Sequence, residues 1–219
     1  MPRCSSPCAT AILAVLPTSE RQRLDAKHGR HGRGTLLGMG GEHRKKRRVY
    51  DHPGHAHFLT YSCQQRLPLL RSDRVCRWVI EAMGDARSRL GFAIGAYVVM
   101  PEHVHVLVRC PEGVSVSGVL GSLKRPVSVR AKAWLVEHEP TWIDRLTVVQ
   151  GNRRVFRFWQ AGGGFDRNIW EQRTLVEVVE YIHANPVRRG LVERPTEWEW
   201  SSARWWAGMG GVLEMDRVG

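Results

Sequence analysis

The sequence predicts an α+β fold in which helices flank an antiparallel β-sheet. Strand-like runs recur at residues 55–63 (HAHFLTYSC), 92–100 (FAIGAYVVM) and 103–110 (HVHVLVRC). A helical stripe of Val75, Trp78, Val79 and Met83 separates the first two runs, and a second apolar helical face appears near residue 178. Strands separated by helices, with a helix closing the series, suggest one sheet covered by helices.

The elements follow in order. Residues 1–46 form a basic N-terminal tail whose Gly and His spacing suits neither helix nor strand, so the expectation is disorder. Its end, HRKKRR, places Arg44, Lys45, Lys46, Arg47 and Arg48 together. That run is either a solvated charge cluster or an arm that contacts phosphate, and the arm suits the partner inferred below. A strand at 55–63 follows. Ser72 and Asp73 offer a helix start, the helix spans 74–90, and Gly91 stops it. Two strands join at a turn or bend at Pro101. A helix at 115–137 contains Pro126, which must bend or break it. Residues 147–159 suggest a hairpin or an extended stretch about Gly151 and Asn152, and QAGGGFDRN (160–168) reads as a glycine-rich loop. A helix from 171 to 184 runs into Asn185 and Pro186. Trp198, Trp200, Trp205 and Trp206 crowd the end of the domain, where filling a core suits them better than stacking on bases. The expected boundaries are a tail at 1–46, a domain at 47–206 and a second tail at 207–219.

Charge narrows the partner. Lys and Arg number 33 against 21 Asp and Glu, a formal net charge of +12 over 219 residues. This balance favours a polyanionic partner. Five cysteines at no metal-site or disulfide spacing fit a reduced, cytoplasmic protein. No segment approaches the roughly 18 apolar residues of a membrane span, and the patch ATAILAVL has too thin a basic flank for a signal peptide.

The run VMPEHVHVLV raises the chemical question. On a strand His103 and His105 share a face with Leu107, while Val104, Val106 and Val108 point to the other. Two neutral imidazoles on a rigid strand can bind a cation with little reorganisation. The plain alternative is a satisfied core histidine and an incidental one. A second such pair, His55 and His57, shows how readily the pattern arises and is read as a decoy. Two histidines also leave a metal site incomplete.

LVEVVEYIHANPVRRGLV (175–192) offers more. Leu175, Val178, Val179 and Ile182 form an apolar helix face, and Tyr181 and Asn185 lie on one face one turn apart. Arg188 and Arg189 follow. MPEHVHVLV and YIHANPVRRGLV together resemble the single-tyrosine transposases of the IS200/IS605 type, and more closely their REP-associated tyrosine transposase relatives, within the HUH endonuclease superfamily. The segments RRVYDHPGHAHFLTYSCQQR, FWQAGGGFDRNI and EWEWSSARWW are also similar to that group, so the resemblance spans roughly residues 47–206.

The resemblance implies an HUH, ferredoxin-like α/β sandwich. It also implies a metal-dependent single-stranded DNA endonuclease and strand transferase, with Tyr181 as nucleophile and His103, His105 and Asn185 holding Mg2+ or Mn2+. By ligand preference alone, imidazole and amide would also suit zinc. The implied product is a 5′-phosphotyrosine link at hairpin or palindromic DNA. Lys124, Arg125, Arg188 and Arg189 are candidate DNA contacts, with Arg153, Arg154 and Arg157 as further basic groups. Arg188 and Arg189 could favour the phenolate, and Glu102 and His183 could accept its proton. The protein would be a monomer or homodimer in the cytoplasm, associated with the nucleoid and not with membrane. Rival readings are a catalytically silent protein that recognises repeat hairpins, a metal-dependent phosphodiesterase of small molecules, and structural zinc.

Overall fold

The computed structural model describes residues 55–218. The N-terminal tail and the basic run containing Arg44, Lys45, Lys46, Arg47 and Arg48 lie outside the described residues. The elements are β1 (Ala56–Ser62), α1 (Asp73–Leu90), β2 (Ala93–Met100), β3 (His103–Arg109), α2 (Val116–His138), α3 (Thr141–Arg145), β4 (Thr147–Gln150), β5 (Arg153–Phe156), β6 (Phe165–Ile169), α4 (Gln172–Arg188) and α5 (Ala203–Trp206). β2, β3, β1 and β6 form one antiparallel sheet in that order, and β4 and β5 form a separate hairpin, the first of the two forms that the sequence allows for this segment. The architecture is the α+β sandwich that the sequence predicts.

Alternation of side chains gives each sheet face its own helices. Leu59, Tyr61, Val104, Val106 and Val108 pack with Val79 and Met83 of α1 and with Val119, Leu123 and Val127 of α2. Phe58, Ala96, Val98, Met100 and Leu107 pack on the opposite face against Val178, Val179 and Ile182 of α4. The helix bearing Tyr181 is thus held by its apolar stripe over the face that carries His103 and His105. Among the described residues no helix is long and apolar enough to cross a membrane.

Four differences from the sequence reading have physical causes. α2 runs unbroken through Pro126, because Leu123 and Val127 on either side of it are anchored in the core. α4 continues past Asn185 and Pro186 to Arg188 and ends in a Schellman motif, with Gly190 at φ +65° donating to Val187 O and Leu191 donating to Pro186 O. The glycine-rich segment is a loop only at its start, since Phe165–Ile169 pairs with β1 as an edge strand. Its polar Asp166 and Asn168 are tolerated because an edge strand has a partner on one side only.

The fourth difference is the C-terminus, where residues 207–219 are not simply a tail. Met215 and Val218 are buried, and Asp216 N–H donates to Ile94 O at 2.8 Å. Upstream, Val99 N–H donates to Trp200 O and Ser202 N–H to Tyr97 O, while the Trp198 and Trp206 indoles donate to Val99 O and Gly95 O. The tryptophan-rich segment and the chain end together cover the outer edge of β2. Gly95 sits at a bulge in β2, and a Cβ there would lie 2.2 Å from Val218 Cγ2.

Candidate active site

β3 presents the two imidazoles side by side, each 6% exposed, with their Nε2 atoms 3.0 Å apart. Each ring is held from behind through Nδ1. Glu102 Oε1 lies 3.1 Å from His103 Nδ1, and Thr60 Oγ1 lies 2.7 Å from His105 Nδ1. Thr60 arrives there because the β1–β3 register pairs it with His105. Such outer partners set tautomer and ring orientation in metal sites.

Burial shapes the electrostatics. It lowers the pKa of both rings, and with the neighbouring His103 and Arg66 it pushes His105 down to about 3. Both imidazoles are therefore neutral at pH 7. Burial alone would raise the Glu102 carboxyl, but the hydrogen bond from Arg189 and the proximity of His103 outweigh it and hold the group below its ordinary range. An ionised Glu102 only accepts, so the hydrogen-bond network assigns the proton of His103 to Nδ1 and leaves a lone pair on Nε2. The Thr60 hydroxyl can either accept from His105 Nδ1–H or donate to it. In the first state the Nε2 lone pair of His105 also points at the shared space.

α4 brings the phenol. The Tyr181 ring lies 5.6 Å from the His105 ring and 5.9 Å from the Phe58 ring, centroid to centroid, within a single chain. Tyr181 is 39% exposed, so the side chain is open to a large substrate. The Arg188 guanidinium stands 5.2 Å from its ring centroid. One turn on, the Asn185 amide nitrogen donates to Tyr181 O at 2.7 Å. With its nitrogen anchored on the helix backbone, Asn185 keeps its carbonyl oxygen as the end that can ligate. Among the described residues no three His, Cys, Asp or Glu side chains are arranged to hold a metal ion.

The other expected residues fall elsewhere. Arg189 donates to Glu102 Oε1 at 2.8 Å, tying the end of α4 to the His103 partner. That contact and the one to His103 both fall on Oε1 of Glu102. His183 is 1% exposed, and its Nε2 lies 2.8 Å from Ser202 Oγ, with burial pushing its pKa down to about 3. Lys124 and Arg125 line a separate groove of about 750 Å3 between α2 and the glycine-rich loop, where Lys124 Nζ donates to Gly162 O at 2.9 Å. His57 pairs with Val108 in the sheet and so faces α1 and α2 rather than the site. Thr60 is visible only once the β1–β3 register is known, whereas Glu102 adjoins His103 in the sequence.

Comparison with known proteins adds the family. Residues 52–185 match the model of the family described as Transposase IS200 like. The structure of a REP-associated tyrosine transposase bound to a REP hairpin is similar, with TM-score 0.56 and 22% identity over 80% of this chain and 93% of that one. A crystal structure of a candidate transposase from Deinococcus radiodurans R1 is a looser likeness, with TM-score 0.39 and 21% identity over 63% of this chain and 95% of that one. No curated protein matches the chain. The family match covers more than half of the chain, including both histidines and the tyrosine, so the chain belongs to the IS200-like transposases and is an enzyme of the HUH-type tyrosine class.

Proposed function

We propose that this transposase cleaves and rejoins single-stranded DNA at the foot of a hairpin by way of a covalent bond to Tyr181. The observation that carries the reading is the exposed Tyr181 ring, 5.6 Å from His105 in the same chain, above two converging imidazoles. In the first half-reaction the bond between Tyr181 Oη and the 5′ phosphorus forms and the bond from phosphorus to the 3′ oxygen breaks. The phenolic proton ends on the departing 3′ oxygen. A second 3′ hydroxyl reverses the step, so strands are exchanged without an external energy source. Arg188, against the Tyr181 ring, stands where the phosphate would meet the phenol.

The donor set fits a divalent cation: two neutral imidazoles share their lone-pair space, and each is braced through Nδ1. His103, His105 and Asn185 would hold Mg2+ or Mn2+. When bound, the cation offsets charge that develops on the phosphate oxygens. A hairpin substrate draws support from the similar transposase solved with a REP hairpin, and the net charge of +12 suits any DNA. Lys124, Arg125, Arg188 and Arg189 are the proposed backbone contacts within the described residues. A site assembled from one chain supports catalysis by a monomer, and a homodimer would carry two such sites. The enzyme would act in the cytoplasm, on the nucleoid.

The test is a hairpin oligonucleotide with unpaired flanks, incubated with Mn2+ and run on a denaturing gel. The natural enzyme gives a covalent protein–DNA band, and Tyr181→Phe gives none while still binding the DNA. Undiminished adduct from Tyr181→Phe would overturn the assignment.

A further inference from the structure

β6 carries an exposed pair of side chains that the chemistry of Tyr181 does not use. Phe165 pairs with Thr60 and Arg167 with Phe58. Paired residues of antiparallel strands share a face, so Phe165 and Arg167 stand on the face that bears His105 and Tyr181. Phe165 is 38% exposed, and its ring centroid lies 6.0 Å from that of Phe58. Phe58 is itself 5.3 Å from His105 and 5.9 Å from Tyr181. The three aromatic rings form a row that ends at the nucleophile.

Backbone geometry fixes the outer ring of this row. Gly164, at φ +77°, presses onto β1 so closely that a Cβ would lie 2.1 Å from Thr60 O. Only glycine fits there, and it delivers Phe165 directly beside the residue that braces His105. Arg167 is exposed and, among the described residues, forms no ion pair. Alternate residues on a strand are about 6.8 Å apart, a separation that matches a base and a neighbouring phosphate on an extended single strand.

We infer that Phe165 and Arg167 form a shelf for an unpaired nucleotide flanking the scissile phosphate, with the ring stacked on the base and the guanidinium on the adjoining phosphate. This rests on the DNA-cleavage reading of Tyr181. Stacking on an aromatic ring is tolerant of sequence, because every base has a π-face. The shelf therefore orients the strand at the nucleophile without selecting its sequence.

Full-length Tyr181→Phe protein, which binds without cleaving, is the background for the test. Fluorescence anisotropy is measured with hairpin oligonucleotides in which one abasic residue is walked along the unpaired flank. Phe165→Ala weakens binding about tenfold, and Phe165→Leu, which keeps the packing on Phe58 but loses the flat face, does the same. At one flank position the abasic residue costs the same factor, and combining it with Phe165→Leu costs no more. Arg167→Ala lowers the slope of log affinity against log salt by about 0.7. Parent-level binding by Phe165→Leu, or abasic losses that multiply with it at every position, would overturn the shelf and leave the cleavage reading standing. A Tyr181→Phe parent that binds none of the oligonucleotides would overturn both.

Discussion

The chain carries the same histidine pattern twice, and the two copies have different fates. His57 of the first pair is 1% exposed and faces α1 and α2, with Nδ1 3.1 Å from Asp166 Oδ1. His103 of the second pair faces α4, with Nδ1 at the same 3.1 Å from Glu102 Oε1. A carboxylate behind an imidazole therefore does not by itself make a site. The β3 pair differs in what lies in front: a second Nε2 at 3.0 Å and an exposed phenol on the helix above. His55 precedes β1, and its ring lies 6.2 Å from that of Trp170. Spacing along a strand decides that two side chains share a face, and the register of the neighbouring strands decides what that face meets.

The sharpest way to break this contrast is to remove each pair. His103→Ala with His105→Ala should abolish adduct formation, as should a chelator with the natural enzyme, while His57→Ala should retain it. A single-turnover assay on hairpin DNA with Mn2+ reads all three, and loss of the adduct in His57→Ala with the fold intact would place function in the first pair. The next largest effect is expected at Glu102. Glu102→Gln keeps the size of the side chain but removes the charge that orients His103 and holds Arg189. It should weaken Mn2+ binding by about 10–100-fold, measured by electron paramagnetic resonance titration without DNA. Unchanged affinity would reduce Glu102 to a clamp on the end of α4.

Stability should separate the pairs in the other direction. His57→Ala leaves the half-buried Asp166 without its imidazole and should cost about 1–3 kcal/mol in urea unfolding. His103→Ala leaves Glu102 paired with Arg189 at 2.8 Å and should cost less. Equal losses would mean that both histidines serve mainly to hold the sheet.

The sequence made the face of β3 legible because valines alternate with the histidines, and it made α4 legible because Val178, Val179 and Ile182 keep helical spacing. Tyr181 and Asn185 then follow on one helix face. β6 was hidden, since FDRNI has the composition of a loop and follows three glycines, and only its pairing with β1 makes it a strand. The chain end was hidden too: Val218 matters because Gly95, far away in sequence, leaves room for it. His183 looked available beside Tyr181, but two residues along a helix is more than half a turn, which aims it at Ser202.

Thr60 offers the smallest and most specific test, because no local pattern marks it and only register brings it to His105. Its hydroxyl can accept from Nδ1–H when the Nε2 lone pair of His105 is needed for a cation, and donate in the alternative tautomer. Thr60→Val keeps the shape and removes both options, so the ring loses its brace but remains packed against Phe58 at 5.3 Å. Mn2+ affinity should fall by about tenfold, the lower end for such outer partners, with little change in stability. Thr60→Ser, which restores a hydroxyl at the same atom, should recover most of the affinity. If Thr60→Val binds Mn2+ as the natural enzyme does, packing alone orients His105 and the hydrogen bond at 2.7 Å is incidental.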